Sequence, residues 1–201
     1  MPRPMRQDRQ ECLQRAMALF WDRGYHATSM KDLEQVLDMR PGSIYAAFGS
    51  KEGLYSEALT LYARDMASEF SQRVSSQSSV LNALASYVRE LGKLNRDKLP
   101  SCACMLVKGL LETGESHTLQ RQIEASLSGM EGLFRQAFQH AIENSEIARS
   151  GEDRYQPERL ARWLQFSIMG LRAYAQRSGN QRGLQALAND LADDVLRLGT
   201  L

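Results

Sequence analysis

The chain has 201 residues, 43% hydrophobic and 24% charged, a composition that buries a core without metal or disulfide staples and argues against wholesale disorder. Lys and Arg number 25 against 24 Asp and Glu, a formal charge of +1, so net charge by itself points to no nucleic-acid, membrane or acidic partner. Three cysteines are too few for a disulfide framework and no apolar run approaches the roughly 18 residues of a spanning helix; with no secretory signal behind the basic start, a cytoplasmic location is expected.

Prolines stand only at 2, 4, 41, 100 and 157, which leaves room for long helices. Leu13, Ala16, Met17 and Phe20 recur at helical spacing, and a first helix is expected over 7–23. Two short helices follow, Met30–Leu37 and Pro41–Phe48, and another starts at Lys51 with Leu54, Ala58 and Leu61 on one face. Ile123, Leu127, Met130, Phe134, Ala137 and Ala141 form one stripe of a helix of about six or seven turns. Ala161, Leu164, Ile168, Leu171 and Ala175, then Leu184, Leu187, Leu191, Val195 and Leu198, give the last two helices narrow seams suited to coiled-coil-like packing. Breaks are read at 24–27, 38–40, 49–50, 72–79, 98–101 and 144–156. The expected fold is all-α with about nine helices, a three-helix module over 1–50 carried on a larger helical body over 51–201.

Ser29-Met30-Lys31-Asp32 has capping-box spacing, so a helix begins at Met30. It turns Met30, Leu33, Val36 and Leu37 inward, ends at Asp38-Met39-Arg40, and Pro41 opens the next helix at its natural first position. This is a helix-turn-helix. In the second helix Ile44 and Phe48 face inward, while Gly42, Ser43, Tyr45 and Ala46 form the opposite face, small enough to approach a groove and carrying hydroxyls for phosphate or base edges. Lys31, Arg40 and Lys51 each add positive charge near a helix N-terminus already positive from its dipole, a conflict that an anion such as phosphate resolves. Within 1–60, eight basic residues balance eight acidic ones, so any DNA binding relies on placement, with Arg3, Arg6 and Arg9 as a further arm for backbone or minor-groove contact.

Ala18-Leu19-Phe20, Gly24-Tyr25, Thr28-Ser29-Met30, Asp32-Leu33, Gly42-Ser43-Ile44-Tyr45, Phe48, Ser50-Lys51-Glu52 and Leu54 resemble, in order and spacing, the DNA-binding domain of the TetR family of repressors, over about residues 9–60. The resemblance implies a homodimer whose last two helices form a four-helix bundle with their partners, a palindromic double-stranded operator, and a central helical body holding a small-molecule pocket. It also implies that Lys31, Arg40, Gly42, Ser43, Tyr45 and Lys51 touch DNA, Tyr45 and Lys51 chiefly on phosphate. The chain departs from the family pattern at Glu34, at Asp38 in place of a turn glycine, at Arg40 in place of a small hydroxyl residue, and at Ala46 and Ala47, where larger side chains often sit.

Further along, Pro100-Ser101-Cys102-Ala103-Cys104-Met105-Leu106-Val107-Lys108 looks like an element of one broad TetR subgroup, with Cys104 at the cysteine position and Cys102 extra. Two cysteines at i and i+2 of a helix point about 200° apart, so metal chelation is not expected there, and His26, His117 and His140 are assigned no ligand role. Cys104 shares a face with Val107, Lys108 and Leu111 near a helix start, where lysine and dipole favour a reactive thiol; packing in the body is the other reading of the same residue. Cys12 reads as packing. Gly-rich phosphate loops, His-Glu-x-x-His and serine nucleophile elbows are missing from the sequence. The expected function is a DNA-binding transcriptional regulator, a repressor released by a small-molecule effector or by thiol modification, with no cofactor and no enzyme activity. The alternative is a helical small-molecule-binding protein or enzyme with a vestigial DNA-binding module.

Overall fold

A computed structural model of the chain describes residues 6–95, 97–114, 116–147 and 152–199, with side chains from residue 9 onward. Among these residues there are nine α-helices and one short 3-10 turn, and no strand. They fall into two compact units. The first comprises the chain up to Asp65 together with Cys104–Ser126, and the second comprises Met66–Ala103 and the chain from Leu127 onward.

The first unit holds α1 (Arg6–Arg23), α2 (Met30–Leu37), α3 (Pro41–Phe48), the start of α4 (Lys51–Ser75), α6 (Met105–Glu112) and the start of α7 (His117–Glu143). The stripe Leu13, Ala16 and Phe20 of α1 is buried with Leu33 and Leu37 of α2, Ile44 and Phe48 of α3, and Leu54, Tyr55 and Ala58 of α4. Tyr55 meets Phe20 edge-on at 4.9 Å between ring centroids and Tyr25 at 4.8 Å. Gly109 of α6 admits the Tyr55 hydroxyl, since a Cβ at that position would lie 2.7 Å from it and 2.9 Å from Ile123 Cδ1.

The second unit holds the rest of α4, α5 (Val80–Leu91), the rest of α7, the 3-10 turn Asp153–Tyr155, α8 (Pro157–Tyr174) and α9 (Gln181–Arg197). Its core joins Leu84, Val88 and Leu91 of α5 to Leu164, Ile168 and Leu171 of α8 and to Leu184, Leu191 and Val195 of α9. Phe70, Tyr87 and Phe134 add edge-to-face ring contacts of 5.3 and 4.9 Å centred on Phe70. The seams read on α8 and α9 are thus largely covered within this unit, except that Leu187 of the α9 seam is 44% exposed; Phe166 of α8, outside the seam, is 77% exposed.

The short helices α2 and α3 have the bounds their caps and proline predict. The end of α6 at Glu112 and the start of α7 at His117 fall outside the breaks read from the sequence. Similarly, α5 ends at Leu91, ahead of the turn residues at 98–101.

Candidate nucleic-acid interface

The helix-turn-helix is assembled by local chemistry. Ser29 stands at the N-cap of α2 in extended geometry, its hydroxyl accepts from Asp32 N–H at 3.2 Å, and Asp32 accepts from Ser29 N–H at 2.8 Å. The Ser29 hydroxyl also donates to Asp32 Oδ2, and this bond and the one from Ser29 N–H, with the Arg23 guanidinium at 2.8 Å, hold the Asp32 carboxyl below its usual range. At the other end Asp38 adopts the left-handed region (φ 52°, ψ 43°) and its N–H donates to Glu34 O, closing the turn where glycine is the usual solution. Arg40 is the N-cap of α3 in extended geometry and gives no side-chain capping bond, and Pro41 takes the first helical position.

Leu33, Leu37, Ile44 and Phe48 are buried, and the opposite face of α3 presents Gly42, Ser43, Tyr45 (49% exposed) and Ala46 to solvent together with Arg40. Lys31 is exposed one position into α2, and Lys51 is half-buried in the first turn of α4. Lys51 Nζ lies 4.4 Å from the centre of the Tyr25 ring. Burial pushes the Lys51 pKa down, and the carboxylates of Asp32 and Glu112 only partly oppose that shift. Burial, with Glu52 nearby, raises the Tyr25 phenol.

Two details depart from the sequence reading. Val36, taken as inward-facing, is 36% exposed, because eight residues of helix bury only a narrow stripe. Arg9 is not part of a loose arm: it lies in α1, pairs with Glu57 at 2.7 Å, donates to Ala47 O at 3.2 Å and stacks 4.6 Å from the Phe48 ring centre. Arg3 lies outside the described residues and Arg6 outside the described side chains.

In the other candidate site Cys102 is fully buried and Cys104 is 6% exposed. Cys104 is the N-cap of α6 in extended geometry, so it precedes the helix, whereas Leu111, expected on its face, is 81% exposed. Lys108 Nζ donates to the carbonyls of Trp21 and Asp22 at 2.8 and 2.9 Å. Glu112 accepts from Tyr25 N–H at 2.6 Å, and its main-chain carbonyl lies 2.8 Å from His26 Nε2. Neither Lys108 nor Glu112 carries a sequence signal for these contacts beyond the i, i+4 spacing that places them on one helix face. Among the described residues no three His, Cys, Asp or Glu side chains form a metal-holding group, and no helix is long and apolar enough to cross a membrane.

A capped helix, a left-handed turn and a second helix with a small, hydroxyl-bearing outer face, in an otherwise all-helical chain, define a helix-turn-helix regulator. Residues 13–58 match the family described as bacterial regulatory proteins, tetR family. A cysteine mutant of the TetR-family transcriptional regulator CifR, solved with 26-base-pair double-stranded operator DNA, is 31% identical and superimposes with a TM-score of 0.82, covering 98% of both chains. The transcriptional repressor ComR of Escherichia coli K12 is 35% identical over 52% of this chain and 50% of its own length, and the repressor BdcR of the same organism is 29% identical over 54% and 55%. The chain spans about half the length of these two repressors in the matched segment. The chain belongs to the TetR family of transcriptional regulators.

Proposed function

We propose that this protein is a DNA-binding transcriptional repressor that acts as a homodimer through α8 and α9 on a palindromic duplex operator. In this reading residues 1–50 form the reader and 51–201 the effector-binding and dimerisation domain. The observation that carries it is the outer face of α3: Gly42, Ser43, Tyr45 and Ala46 are all exposed, and the helix start is flanked by Arg40 with no carboxylate in its first turn. Such an N-terminus offers backbone N–H groups and a cation to phosphate, and the small residues let the helix enter a major groove. Lys31 and Lys51 stand at the starts of the flanking helices and serve phosphates on either side. The relatives ComR and BdcR, both repressors, and the operator complex of CifR support this assignment. The exposed Phe166 and Leu187 on α8 and α9 support those helices as the dimer face.

Release from DNA follows from a small-molecule effector or from modification of Cys104 or Cys102, and no catalytic step is involved. Either event works only if it binds or stabilises a non-reading conformation better than the reading one. Binding of the full chain to duplex DNA from its own upstream region, followed by fluorescence anisotropy, tests the reading. Saturable, salt-dependent binding that Tyr45→Ala with Lys51→Ala removes is the expected result; binding unchanged in that double variant overturns the site. For the sensor, Cys104→Ser is treated with an electrophile such as N-ethylmaleimide alongside the wild type. Undiminished release from DNA in the variant overturns the thiol route.

A further inference from the structure

Lys108 and Glu112 stand four residues apart on α6, hence on one face, and both engage the segment that joins α1 to α2. Lys108 Nζ donates to Trp21 O and Asp22 O at 2.8 and 2.9 Å, in the last turn of α1, where a cation is favoured by the helix dipole. Four residues on, Glu112 Oε2 accepts from Tyr25 N–H at 2.6 Å, and Glu112 O lies 2.8 Å from His26 Nε2. The approach is close because residue 24 is glycine: a Cβ there would fall 2.3 Å from Glu112 Oε1. On its far side the same turn is closed by Thr28 Oγ1 donating to Gly24 O at 2.7 Å, and the next residue, Ser29, caps α2. An unbroken series of bonds therefore runs from α6 through the 24–28 turn to the first turn of the helix-turn-helix.

Building on the DNA-binding reading above, we infer that Lys108 and Glu112 are positioning residues for the DNA-reading helices. Neither touches DNA. They fix the turn from which α2 and α3 depart, so the reading conformation is populated before DNA arrives. If that conformation is populated only in part, the apparent dissociation constant rises in inverse proportion to its fraction. Because α6 begins directly after Cys104, displacement at its start reaches the turn through these two side chains.

The test uses the full-length chain and a fluorescent duplex of its own upstream region, titrated at several salt concentrations with the wild type, Lys108→Met, Glu112→Ala and Glu112→Gln. Lys108→Met and Glu112→Ala are expected to weaken binding by about fivefold or more, the size of one hydrogen bond removed from the reading state, while the slope of log affinity against log salt stays at the wild-type value because no phosphate contact is lost. Glu112→Gln keeps an oxygen for Tyr25 N–H and is expected within about twofold of wild type. Folded variants that bind as the wild type does, a Glu112→Gln as weak as Glu112→Ala, or a flattened salt slope each overturn the inference. Amide exchange needs no variant to fold: the Tyr25 amide of the wild type is expected to be protected, and free exchange there also overturns it. A wild type that does not bind duplex DNA at all defeats the DNA reading itself, whereas wild-type binding with unaffected variants defeats only the positioning role.

Discussion

The Glu146 carboxylate lies 2.8 Å from the Ser79 hydroxyl and, from that position, closes the start of α5 by accepting from the N–H groups of Val80 and Leu81 at 3.0 Å each. Ser79 in turn accepts from Asn82 N–H at 3.2 Å, so serine and glutamate together satisfy amide donors that a helix start leaves without intrahelical partners. Burial pushes the Glu146 pKa up, but the bonds from Leu81, Val80, Ser79 and Asn144 outweigh it and hold the carboxyl below its usual range. The folded pKa is therefore lower than the unfolded one, so the stabilisation is complete above the unfolded value and is lost as pH falls through the folded one. Glu146→Ala is expected to destabilise the chain by about 1–2 kcal/mol near neutral pH. In urea titrations the gap between wild type and Glu146→Gln is expected to close as pH drops below about 4.5.

Lys51 and Tyr45 separate into two kinds of loss on DNA. Lys51→Ala removes one cation from the phosphate set and is expected to flatten the salt slope by about 0.9. Tyr45→Phe keeps the ring and loses the hydroxyl, so affinity is expected to fall several-fold with little change in slope. Tyr45 is 49% exposed, and its variants are expected to unfold within about 0.5 kcal/mol of wild type. Anisotropy at three salt concentrations distinguishes the two signatures.

Two left-handed positions predict opposite signs of mutation. Gly24 has φ 91° and no room for a Cβ beside Glu112, so Gly24→Ala is expected to cost more than about 1 kcal/mol. Asp38 ends α2 at φ 52°, where glycine carries no steric penalty, and Asp38→Gly is expected to be neutral or to stabilise by about 0.5 kcal/mol. Thermal unfolding of the two variants side by side reads both signs.

Arg9 is expected to act on stability and not on DNA. Its ion pair with Glu57 is about 40% exposed on both sides (43% and 39%) and contributes little; the stacking on Phe48 and the bond to Ala47 O add to it. Arg9→Ala is expected to lower stability by about 1 kcal/mol with an unchanged salt slope. A slope flattened by about one unit would instead put Arg9 on a phosphate.

What the sequence made legible was local. Ser29 with Asp32, and Pro41 with the hydroxyl and small residues after it, specify α2 and α3 through bonds that span three or four residues, and the structure has those helices at those bounds. What it hid depends on partners far away in the chain. The spacing of Leu184, Leu191 and Val195 says that α9 buries a seam but not that α5 covers it. Arg9 looked like a basic arm because Glu57 is 48 residues away. Lys108 reads in the sequence only as a neighbour of Cys104, and Glu112 has no role there, because the carbonyls and amide they meet belong to residues 21, 22 and 25. The end of α6 was hidden for a different reason: its apolar residues keep helical spacing up to Leu111, which nevertheless lies 81% exposed.

Tyr25 and the last carbonyls of α1 are completed by side chains that arrive 86 or 87 residues later in synthesis. A fragment ending near residue 50 would keep every motif that reads as a helix-turn-helix, yet it would lack Tyr55 against Phe20, Lys108 on α1 and Glu112 on Tyr25. On the ribosome, too, the first three helices would emerge well before the residues that finish them, and their final shape would wait for α6 to be made.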